Sequence, residues 1–67
     1  MIKFNTRLKE LRIEKELSQS QLSKELGVLP RTVSFWEADQ RRPDFETLEK
    51  IAKYFGVTTD YLLGLED

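Results

Sequence analysis

Pro30, Arg31, Thr32, Ser34 and Phe35 fall within six consecutive positions, and their chemistry suits the edges of nucleic-acid bases. An arginine can donate two parallel hydrogen bonds to guanine O6 and N7, about 1–3 kcal/mol of discrimination against a wrong base. Thr32 and Ser34 can bond a base edge or a phosphate. Phe35 lies one helical turn beyond Arg31, where a thymine methyl would cover its ring. Plainer readings stand beside these. Arg31 can be a solvated surface charge, Phe35 can be partly buried or face a protein, and Pro30 suits a helix start better than base reading. Gln40, Arg41 and Arg42 follow in a loop closed by Pro43. Their charge suits phosphate, although a basic pair on a loop is also an ordinary solvated feature. A second phosphate contact is expected at Ser18 and Gln19, because a helix start exposes N–H groups that favour anions.

Composition removes other chemistries. The chain has no histidine and no cysteine, which excludes imidazole bases, Ser-His nucleophiles, thiolate metal sites and disulfides. Its carboxylates fall on helix surfaces and imply no convergent pocket. The expectation is therefore a binding protein and not an enzyme, with no cofactor and no metal. No apolar run approaches the roughly 20 residues of a membrane span. Residues 1–5 lack the apolar core of a signal peptide. A cytoplasmic, reducing setting fits this pattern. The 67 residues allow one small domain, expected to span 1–67. Net charge is only −1, yet residues 1–43 carry nine Lys/Arg against six Asp/Glu, and residues 44–67 carry two against six. The basic part holds the candidate readers, and such asymmetry can orient a molecule on a phosphate backbone.

The elements that must position these side chains are all helical. Asn5 is a candidate N-cap for a first helix over Thr6–Lys15, with Leu8, Leu11 and Lys15 near one face and Phe4 leading in. Glu16 stands where a helix prefers a left-handed glycine. Ser18 and Gln21 form an S-x-x-Q capping box for a second helix that buries Leu22 and Leu26 and ends at Gly27. Val28 plugs the turn. A third helix runs from Pro30 to Ala38, with Val33, Trp36 and Glu37 inward and Arg31, Ser34, Phe35 and Ala38 outward. Trp36 belongs to the core in this reading, not to a stacking platform. Asp44 caps a fourth helix whose apolar stripe is Phe45, Leu48, Ile51, Ala52 and Phe55, closed by Gly56. Thr58 caps a last helix, Thr59–Leu63, closed by Gly64. The fold class is all-α, a compact five-helix bundle. Residues 18–38 form a helix-turn-helix, whose second helix suits the DNA major groove.

Glu37 on an inner face needs a partner, because an unpaired buried charge is costly. Arg12, on the inner side of the first helix, is the expected partner in a partly buried ion pair.

The chain resembles the Cro/repressor-type helix-turn-helix regulators, the xenobiotic response element family. The resemblance rests on Arg7–Arg12, Leu17-Ser18-Gln19, Leu22, Gly27-Val28, Val33–Glu37, Arg42-Pro43, Leu48–Ala52, Phe55-Gly56-Val57 and Asp60–Gly64, in order and at matching spacing. It implies a lambda-repressor-like five-helix domain that binds double-stranded operator DNA as a homodimer. It also implies base reading at Pro30, Arg31 and Phe35, phosphate contact at Gln19 and the Arg41-Arg42 loop, and an inner Arg12–Glu37 salt bridge. Leu29 stands where the family has a Ser or Thr cap, so weaker capping of the third helix is expected. Asp39 stands at a frequent glycine and tolerates left-handed geometry. The C-terminal Tyr61, Leu63 and Leu65 are the expected self-contact. The rival reading is a protein-binding adaptor or antitoxin-like module on the same scaffold, with Phe35 as its contact.

Overall fold

The computed structural model describes residues 2–66; Met1 and Asp67, the two ends of the expected domain, lie outside the described residues. These residues form α1 (Phe4–Glu14), α2 (Gln19–Leu26), α3 (Thr32–Glu37), α4 (Phe45–Phe55) and α5 (Thr59–Leu63), with no strand among them. No helix is long and apolar enough to cross a membrane.

One core joins the helices. Phe4 and Leu8 of α1, Leu22 and Leu26 of α2, Val33 and Trp36 of α3, Ile51 and Ala52 of α4 and Leu62 of α5 are buried together. Phe4 meets Trp36 edge to face, with ring centroids 6.1 Å apart, a favoured aromatic geometry. Leu11, Leu17, Val28, Leu48 and Phe55 pack around this cluster.

Local chemistry sets most helix ends as expected. The Ser18 hydroxyl accepts from the Gln21 N–H at 3.0 Å, and the Gln21 side chain accepts from the Ser18 N–H at 2.8 Å. Asp44 caps α4 through the Thr47 N–H at 2.8 Å, and Thr58 caps α5 through the Tyr61 N–H at 3.0 Å. Gly27, Gly56 and Gly64 close their helices in the left-handed region. Glu16 and Asp39 share that region at φ 56° and 57°.

Three boundary expectations need correction. Asn5 is not the cap of α1. The helix starts at Phe4, with Lys3 as a cap that makes no side-chain bond. Burial of Phe4 and a bond from the Lys3 N–H to the Leu63 carbonyl, 3.2 Å, draw the first turn earlier than the capping preference suggests. Second, regular α3 is shorter than 30–38. Pro30 and Arg31 occupy a tight turn in which the Thr32 N–H donates to the Leu29 carbonyl at 3.0 Å, and Ala38 is the C-cap. Third, Phe45 leaves the apolar stripe of α4 and is 90% exposed. At 100° per residue it lies at the stripe's edge, in the first turn, where it borders a shallow groove with Ile2, Phe4, Pro43, Leu48 and Leu63.

Candidate nucleic-acid interface

The interface is anchored by a charge cluster behind α3. Arg12 grips Glu37 with two hydrogen bonds, Nε to Oε2 at 2.7 Å and Nη2 to Oε1 at 2.9 Å. Its remaining Nη1 donates to the Leu17 carbonyl at 2.8 Å. The side chains retain 12% and 4% exposure, so this pair is largely removed from water. Hydrogen bonding to Glu37 raises the Arg12 guanidinium above its ordinary value; burial opposes the shift and the Glu37 charge adds to it. Gln19 completes the cluster by donating from Nε2 to Glu37 Oε1 at 3.1 Å. Three elements are thereby locked: α1, the start of α2 and the end of α3.

From this anchor, α3 turns Val33 and Trp36 into the core and leaves its other side to solvent. Arg31 and Pro30 are exposed in the turn before the helix, Ser34 and Ala38 are exposed on it, and Thr32 is half-buried. Phe35 is half-buried too. The Arg41 guanidinium lies 4.7 Å from its ring centroid, a cation–π cover that shields the apolar face. The loop after α3 folds back on the helix, with the Gln40 and Arg41 N–H groups donating to the Phe35 carbonyl at 3.0 and 3.4 Å. Arg42 pairs with Asp39 at 3.5 Å, both about half exposed. Such a surface pair is weak and readily exchanged.

The expected readers are thus contiguous, whereas the expected phosphate contacts are more engaged than their residue types suggested. The Ser18 hydroxyl caps α2, the Gln19 amide holds Glu37, Arg41 covers Phe35 and Arg42 holds Asp39. Among the described residues, the Gln40 side chain makes no hydrogen bond, and Arg41 makes its contact through the Phe35 ring alone.

Two positioning residues escaped the sequence reading. Lys50 of α4 donates from Nζ to the Leu26 carbonyl at 2.7 Å, satisfying the end of α2 where a cation is favoured. Ser23, fully buried in α2, accepts the Val33 N–H at 3.3 Å. Ser23 had a visible signal, a hydroxyl beside Leu22 and three residues before Leu26 on the apolar stripe. Lys50 had none, because its acceptor lies 24 positions away.

A five-helix unit with this charge anchor and exposed third helix is a repressor-type helix-turn-helix domain. The chain belongs to the helix-turn-helix family of xenobiotic response element type, whose profile matches residues 8–62. The relatives it matches are named as transcriptional activators, repressors and regulators of the helix-turn-helix type. It is 41% identical over 66 residues to the transcriptional activator BcrR of Enterococcus faecalis, covering 98% of this chain but 32% of BcrR. The phage P22 c2 repressor, solved with a synthetic operator, superposes with a TM-score of 0.85 at 28% identity, covering 94% of this chain and 96% of that one. The biofilm regulator SinR, solved with DNA, gives 0.79 at 31% identity, over 90% and 97%. The chain spans about a third of BcrR and about half of the repressor RstR from Vibrio cholerae.

Proposed function

We propose that this domain binds double-stranded DNA sequence-specifically, as a transcriptional regulator of the phage or bacterial repressor type, and works by binding rather than catalysis. The observation that carries the reading is the division of α3: Val33, Trp36 and Glu37 are held from behind, while Arg31 and Ser34 face solvent and Arg41 lies over the Phe35 ring. In this reading Arg31, Thr32, Ser34 and Phe35 meet base edges, and Pro30 shapes the approach. Ser18, Gln19, Gln40, Arg41 and Arg42 meet phosphates. The weak Arg42–Asp39 pair exchanges its partner for phosphate, and Arg41 slides from the Phe35 ring as DNA takes its place. Gln19 keeps one amide hydrogen for phosphate while the other holds Glu37. The setting is the cytoplasm.

The working form is a homodimer whose two recognition helices lie about 34 Å apart, one duplex turn. Phe45 protrudes beside a groove of the same face, and a knob next to a hollow suits the self-complementarity of a two-fold contact. Of the C-terminal trio, Leu65 is 71% exposed, whereas Tyr61 is half-buried under Arg7, 4.2 Å from its ring.

The test is fluorescence anisotropy with duplexes selected from a random library, at two salt concentrations. Arg31→Ala is expected to lose about 1–3 kcal/mol of preference at one base position. Arg42→Ala is expected to weaken cognate and random duplexes alike and to flatten the salt slope by about 1. Equal behaviour of the two variants would refute the roles. Absent or salt-insensitive binding would favour the protein-adaptor reading.

A further inference from the structure

The first turn of α3 lacks a cap of its own. Arg31, in the cap position, makes no side-chain bond, and Leu29 has no side-chain oxygen to offer. The Leu29 carbonyl is occupied by the Thr32 N–H at 3.0 Å, one residue short of the Val33 N–H that a regular α-turn would deliver. Val33 is fully buried, so water does not reach this donor, and a buried N–H without a partner is costly. Its acceptor is Ser23 Oγ, 3.3 Å away on α2 and itself without exposed surface.

We propose that Ser23 is a positioning residue for base recognition: by holding the Val33 N–H from behind, it keeps the turn at 29–32 tight and fixes the direction in which Arg31 projects. This rests on the reading of Arg31 as a base contact. A tight turn advances about 120° per residue and an α-turn about 100°. Without the Ser23 hydroxyl, the Val33 N–H has no fixed acceptor, the turn wavers between these two pitches, and Arg31 swings while Val33 and Trp36 stay in the core. A residue that touches no base would in this way set part of the specificity.

Two measurements test it. In Ser23→Ala, Val33 amide hydrogen exchange is expected to speed up about tenfold relative to the other α3 amides. With the best duplex selected by the wild type, the cognate-to-random affinity ratio is expected to fall about fivefold in Ser23→Ala, and not at all when Arg31→Ala is already present. Ser23→Cys, similar in size with a weaker acceptor, is expected to fall between, and carries both measurements should the alanine variant not fold. Unchanged Val33 exchange, or an equal loss towards cognate and random duplexes, overturns the proposal. A wild-type domain with no preference among duplexes overturns the DNA reading instead, and the exchange measurement then decides Ser23's hold on the turn by itself.

Discussion

At the residue scale, Glu37 is the most committed side chain. Both its oxygens are occupied, by Arg12 and by Gln19. Removing Arg12 would leave a carboxylate with little access to water. Arg12→Met is expected to cost about 3–5 kcal/mol in urea unfolding, and Arg12→Met with Glu37→Leu to recover much of that loss, because a buried pair is costly to break but can be replaced by apolar packing. Glu16 makes an opposite case. Its backbone sits at φ 56°, where a Cβ is strained, so Glu16→Gly is expected to raise stability by about 1 kcal/mol in the same assay. Both features were legible in the sequence. An inward-facing glutamate demands a cation, and a helix stop without glycine demands a strained residue. Ser23 was overlooked because a serine on an apolar stripe reads as a small filler until the donor it serves is seen.

At the element scale, helix ends decided by adjacent residues followed the sequence, and ends decided by distant packing did not. The Ser18–Gln21 box and the closures at Gly27, Gly56 and Gly64 involve neighbours only. Asn5 lost its capping role to the burial of Phe4, and Pro30 lost its place in α3 to the Leu29–Thr32 turn, behind which Ser23 of α2 takes the Val33 N–H. The periodicity of α4 was right for Leu48, Ile51 and Ala52 and wrong for Phe45, which sits in the first turn at the edge of the stripe and is 90% exposed. The Asp44 cap carries a pH signature. Its hydrogen bond from Thr47 holds the carboxyl below the ordinary value of 3.8. A depressed native pKa means that the contribution is complete above the unfolded value and fades as pH falls through the native one. Thermal melts are therefore expected to lose stability below about pH 4, and Asp44→Asn is expected to remove Asp44's part of that loss while still capping α4.

At the scale of the whole molecule, a net charge near zero conceals a working division of labour. The basic portion carries the candidate readers, and the acidic portion carries α4 and α5, which close the core behind them. The net charge by itself says little about DNA; the order of the charges along the chain separates a basic portion from an acidic one. Of the residues proposed for self-contact, Phe45 read as interior and Tyr61 as free, so this proposal was the least legible in the sequence. One geometric fact reaches further. The Lys3 N–H meets the Leu63 carbonyl, and Arg7 Nη1 meets the Glu66 carbonyl at 3.2 Å, so the opening and closing turns of the domain touch. A short peptide bridge would turn the backbone into a ring without bending any helix. Such a cyclic protein is expected to gain up to about 4 kcal/mol through lost denatured-state freedom, visible as a higher melting temperature at undiminished DNA affinity.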